Sequence, residues 1–184
     1  MALVNGIPHS INPNTRVKGF DVVLANLNRE VKGIENRSMG GLIEAAALVR
    51  RDTENKAPMT PLDYGNLRSS WFVVTAKGKE PNDVGNTGFK DNPKTGLTAS
   101  QLRAEHTDAI TECKGIVLAN EGTKGKFLIM GYSANYALWV HEMTEANFQV
   151  KKGRSPGAKW FETAFKRNSA KILKIIKDNA EIKG

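Results

Sequence analysis

Apolar residues recur at helical spacing from Gly19 to about Asn55: Phe20, Leu24, Leu27, Val31 and Ile34, then Leu42, Ala45, Ala46 and Val49. The spacing predicts a long helix, with Asp21 placed to cap it or to sit in its first turn. Ser38-Met39-Gly40-Gly41 interrupts the pattern, and each helical glycine costs about 1 kcal/mol relative to alanine. The expectation is one helix with a weak point or two helices meeting at a kink. Pro58 and Pro61 then stop it. The apolar run Trp71–Ala76 predicts a β-strand. Gly115–Ala119 and Lys126–Ser133 predict two more, joined by a hairpin connection over residues 120–125. Asn135–Met143 predicts a short amphipathic helix. The last element runs from Ala158 to about Ala180. Trp160, Phe161, Ala164, Phe165, Ile172, Leu173, Ile176 and Ala180 line its apolar face.

Between these elements lie two segments without clear periodicity. Residues 1–18 are polar, carry Pro8 and Pro13, and are expected as an extended arm. Residues 79–112 are rich in Gly, Pro, Asn and Asp and are expected as a long loop insertion, with a short polar helix over Thr98–Ala109. The order of elements predicts an α+β fold: a small antiparallel β-sheet packed by a long N-terminal helix and a C-terminal amphipathic helix. The organisation expected is the arm at 1–18 and a single α+β domain over 19–184, with the insertion at 79–112.

Composition narrows the setting. A chain of 184 residues with 40% hydrophobic and 7% aromatic residues supports one core, mostly aliphatic. The lone Cys113 excludes an internal disulfide and a cysteine-based zinc site within one chain, and fits a reducing assembly site. Met1–Ser10 lacks the features of a signal peptide, and no run approaches the roughly 20 apolar residues of a membrane span. The net charge of +8 is uneven. Residues 151–184 hold ten basic and three acidic residues, a balance of +7, which leaves +1 for the rest. Lys159, Lys166, Arg167, Lys171, Lys174 and Lys177 form a basic face on the last helix, suited to nucleic acid or an acidic protein surface. Its bland reading is a solvated amphipathic helix. Lysine outnumbers arginine and the aromatics sit on the apolar face, which argues against base stacking.

Catalytic patterns are absent. Ser69, Ser70, His141, Asp63 and Glu142 supply the types of a hydrolase triad, but no nucleophile elbow or oxyanion loop accompanies them. His141-Glu142 opens like a metal-binding helix, yet Glu145 stands where the second histidine belongs. His9 and His106 lie in the arm and the insertion. No cofactor pattern is present, and no enzymatic activity is expected.

The turn Asp63-Tyr64-Gly65 and the segment Asn66-Leu67-Arg68-Ser69-Ser70 read differently. Gly65 fits a position of positive φ or close approach. Leu67 fits a core position. Arg68 offers a rigid fork for a carboxylate, with Glu142 a plausible partner. Tyr136, Trp139 and Val140 share a helix side that belongs to the core or to a subunit contact.

Three blocks carry a resemblance. Ala57-Pro58 followed by Asp63-Tyr64-Gly65-Asn66-Leu67-Arg68-Ser69-Ser70 is similar to an "A-P-x-x-x-G-x-L-R-x-S" signature. Tyr136-Ala137-Leu138-Trp139-Val140-His141-Glu142-Met143-Thr144 looks like "Y-A-x-x-V-E-x-G-T", departing from it at His141 and Met143. Gly157–Phe165 resembles "P-x-F-L-x-P-A" at the entry to a terminal helix. In this order the blocks resemble the tailed-phage neck, or tail-completion, proteins of the HK97 gp10 type. The resemblance implies an α+β fold and a homo-oligomeric ring, hexamer or dodecamer. It implies a place in the virion neck between portal or adaptor proteins and the tail, after assembly in the host cytoplasm. It makes Pro58, Asp63, Gly65, Leu67, Arg68, Tyr136, Trp139 and Glu142 the assembly or turn residues. The alternative reading is a DNA-binding accessory protein using the basic last helix. Long arms that wrap a neighbouring subunit suit a ring closed by head-to-tail contacts.

Overall fold

A computed structural model describes residues 20–62, 64–76, 88–120, 125–150 and 153–181, together with the backbone of a small antiparallel pair, β1 (Leu3–Val4) and β2 (Ile7–Pro8). The rest of the arm, Asp63, residues 79–87 of the expected insertion and residues 121–124 of the expected hairpin connection lie outside the described residues.

The fold is α+β. Helix α1 (Phe20–Asn55) runs unbroken for 36 residues through Gly40-Gly41. Gly41 marks an approach rather than a kink. A Cβ there would stand 3.0 Å from Ile176 Cα and 3.0 Å from Asn179 Cβ. The missing side chain lets α1 lie against the last helix, α5 (Trp160–Ala180), which runs antiparallel to it. Further along, Asp52 of α1 meets Arg167 of α5 at 2.8 Å.

Strand β3 (Trp71–Val74) pairs antiparallel with β4 (Ile129–Tyr132), Trp71 opposite Tyr132 and Val74 opposite Ile129. All four residues of β3 are buried because both faces of the sheet are covered. Trp71 and Val73 pack with Ala46, Val49 and Ala164 on the α1–α5 side. Phe72 and Val74 pack with Ile110 and Val117 on the other. The result is three layers: a helix pair, a two-stranded sheet and a third long helix.

That third helix, α3 (Ala99–Asn120), corrects the expected loop insertion and the expected strand Gly115–Ala119. Its buried positions Leu102, His106, Ile110 and Val117 recur at helical spacing, with Cys113 partly buried between them. The start is built from side chains. Thr98 N–H donates to Gln101 Oε1 at 2.9 Å, and Gln101 N–H donates to Thr98 Oγ1 at 3.2 Å, a capping box. Asp91 Oδ1 accepts from Ala99 N–H at 2.7 Å. With residues 115–119 helical, no β-hairpin joins them to β4, and among the described residues β4 pairs with β3 alone. His106, expected in the insertion, is 1% exposed. Its Nδ1 lies 2.7 Å from Ser133 Oγ, and its ring packs edge-on to Phe72 and Phe89. Burial pushes its pKa below the ordinary 6.5.

Two short helices complete the fold. Helix α2 (Asn66–Ser69) enters β3, and α4 (Ala137–Glu142) follows β4. On α5 the apolar face is as expected except at Leu173, which is exposed, while Asn168 is buried and donates to Ala164 O at 2.8 Å.

Candidate functional site

The three sequence blocks meet at one end of the molecule, where α1 finishes and α5 begins. Gly65 has φ 91°, the positive-φ alternative, and its carbonyl accepts from Ser69 N–H at 2.9 Å. This reversal drops Leu67 into a buried cluster with Ala134, Ala137 and Trp160, against which Tyr136, Val140 and Phe161 pack. Residues from all three blocks therefore share one small core.

Backbone pairing ties the first block to the third. Met59 N–H donates to Ser155 O at 2.9 Å, and Gly157 N–H donates to Met59 O at 3.2 Å. Pro58 sits so close to Gly157 that a Cβ there would lie 2.9 Å from the Pro58 Cβ. The second block joins the third through Lys159 N–H, which donates to His141 O at 2.8 Å. Lys159 Nζ also pairs with the Glu142 carboxylate, whose other oxygen lies 2.7 Å from His141 Nδ1. The Lys159 hydrogen bond, followed by that of His141, holds the Glu142 carboxyl below its ordinary range. His141 also packs edge-on to Trp160, with ring centroids 4.8 Å apart.

Arg68 pairs with Glu54 of α1, not with Glu142: its Nη2 donates to Glu54 Oε2 at 2.7 Å. Arg50 Nε reaches the same carboxylate at 3.3 Å. Burial raises the Glu54 pKa, but the bonds and charges of Arg68 and Arg50 outweigh it and hold the group below 4.5. Arg68 thus fastens α2 to α1. Asn66, which the sequence did not single out, is buried and grips residue 90 both ways. Its Nδ2 donates to Lys90 O, and its Oδ1 accepts from Lys90 N–H, each at 2.8 Å. A short turn with an Asn next to Gly was the available signal.

A shallow groove of about 240 Å³ opens over this junction, lined by Pro61, Gly65, Leu67, Lys94, Tyr136 and Val140. Helix α4 turns Tyr136 and Val140 inward. Trp139, expected on the same side, faces outward and is 74% exposed, beside exposed Leu138 and Met143. Six residues span under two turns, and the buried side centres on Ala137.

Of the triad types, His141 and Glu142 meet, and Asp63 lies outside the described residues. Ser70 is buried and donates to Leu67 O at 2.8 Å, while His141 is engaged by Glu142. The basic face is largely neutralised locally. Lys166 pairs with Glu162, Lys174 with Asp178 at 2.7 Å, and Arg167 with buried Asp52. Among the described residues, Lys171 and Lys177 carry no ion pair. No helix among the described residues is long and apolar enough to cross a membrane. Comparisons with protein families, curated proteins and solved structures found no match for this chain.

Proposed function

We propose that the chain is a structural protein of a tailed-phage neck, acting as a homo-oligomeric ring that joins the portal side of the head to the tail. The observation that carries this reading is the convergence of the three resemblance blocks on one cluster around Leu67, Ala137 and Trp160. Segments far apart in sequence there build a rigid end with an apolar outer surface at Leu138 and Trp139 and a groove beside it. In this reading that surface docks partners. Its neighbours in this reading are portal or adaptor proteins and tail proteins. The paired lysines of α5 lend the DNA-binding alternative little support, because each local carboxylate cancels charge that phosphates would need. Immunogold labelling of an epitope-tagged chain in purified particles tests the proposal. Label at the head–tail junction is the expected result. Particles that lack the chain would contradict it.

A further inference from the structure

The apolar stripe of α1 outruns its partner. Asn179, in the last turn of α5, donates to Glu44 at 3.1 Å and lies beside Gly41. Lys126 reaches Glu35 at 3.8 Å. Beyond Glu35 every position from 22 to 32 is exposed, including Val22, Val23, Leu24, Leu27 and Val31. Residues 20–34 therefore project as a helix roughly 22 Å long at 1.5 Å per residue. Leu24, Leu27, Val31 and Ile34 follow steps of three and four residues. The same steps continue through Ser38 to Gly41 and Ala45, which are buried in the covered half. The bare stripe is thus a continuation of the α1–α5 seam, and it calls for more packing of the same kind.

We infer that a second copy of this chain supplies it: the projecting half of α1 docks on the Leu138–Trp139–Met143 surface and adjoining groove of the next copy. The layout, size and mixed charge of the two surfaces fit this occupant. The two exposed apolar surfaces lie at opposite ends of the α1–α5 pair, separated by roughly 30 Å of helix between Ile34 and Asn55. Contact between non-equivalent surfaces repeats head to tail, and closes into a ring when the rotation allows. Size points the same way. One helix face roughly 22 Å by 10 Å falls well short of the roughly 800 Å² per partner of a stable pair. A head-to-tail arrangement gives every chain two such junctions, and closure adds avidity. Pairing projecting helix with projecting helix would give one junction per two chains and leave Trp139 bare. Arg29 and Lys32 alternate with Glu30 and Glu35, so no single sign of charge opposes the approach.

This deepens the assembly reading and rests on it only for the choice of a second copy as occupant. A photocrosslinking benzophenone amino acid placed at Trp139 tests it, with heavy-isotope and light copies mixed at micromolar concentration. The expected product is a covalent ladder longer than a dimer, with light position 139 joined to heavy peptides from residues 19–37. Leu27→Lys with Val31→Lys should reduce the ladder at least tenfold while circular dichroism holds its wild-type shape. Capture of any other segment, including the arm, would overturn the inference, as would absence of intermolecular product or a ladder that survives the lysines. Those failures concern the junction. The neck reading fails separately, on particles that lack the chain.

Discussion

The two halves of α1 carry the same repeat and meet different fates. From residue 38 to 55 most inward positions are small or polar, Gly41, Ala45, Ala46, Asp52 and Thr53, with Met39 and Val49 the larger apolar ones. The small ones admit α5 at close range, and Val49 is fully buried beneath it. From 20 to 34 the corresponding positions are large: Leu24, Leu27, Val31, Ile34. Leu24, Leu27 and Val31 are exposed, Leu27 at 58%, and only Ile34 is partly covered. Small residues mark a seam already filled within the chain. The large ones stand where that seam is left open among the described residues. This half is continued from the packed half of the same helix, which spares it a separate nucleation step.

The contrast breaks most visibly at the tryptophans. Trp71, 3% exposed in the layer under α1, should cost about 3–5 kcal/mol on replacement by alanine, read from urea unfolding. Trp139→Ala should change folding stability by about 0.5 kcal/mol or less, because water already surrounds it. Charges sharpen the same point. Arg167→Ala strips buried Asp52 of its closest cation and should cost about 2–3 kcal/mol by the same measurement. Lys166→Ala breaks an exposed pair and should stay within about 0.5 kcal/mol of wild type. Glycine reads the two halves directly. Gly41→Ala pushes a methyl into the α5 backbone and should lose about 1–3 kcal/mol. Gly33→Ala meets only the movable end of Arg37 and should gain about 0.5–1 kcal/mol of helix stability.

The smallest effect is pH, and it falls on the covered parts. His106 has a folded pKa below 6.5, so the unfolded chain takes up the proton first. Stability is therefore full above 6.5 and declines as pH falls through the folded value. Glu54 adds a second loss below 4.5, where its folded carboxylate holds off protonation that the unfolded one accepts. Thermal melts across this range should show both steps, and His106→Gln should remove the upper one.

Much of the fold was legible because periodicity survives without knowing the partner. The long helix, the strand at Trp71, the helix at Ala137 and the terminal helix all announced themselves this way. Helix α3 was legible only in its first half, as the short helix over Thr98–Ala109; its run on to Asn120 was not, because Glu112, Lys114 and Gly115 interrupt the apolar pattern there. The Gly-Ile-Val-Leu run at 115–118 then mimicked a strand, and the Thr98–Gln101 capping box was the signal against it. At the site, the turn at Gly65 was readable because φ restricts residue type. The Arg68 partner was not, since Glu54 and Glu142 offer the same carboxylate and only packing decides. The lysine face looked free by count, although Glu162 and Asp178 stand four residues from their partners. Which face of α4 points outward depended on Trp160, which lies twenty residues downstream.

Amide hydrogen exchange on the wild-type chain across a dilution series tests the central claim most directly. Protection over residues 22–34 and over 137–143 should rise together as concentration increases, because each surface covers the other. Rapid, concentration-independent exchange at 22–34, or protection of one segment without the other, would contradict it.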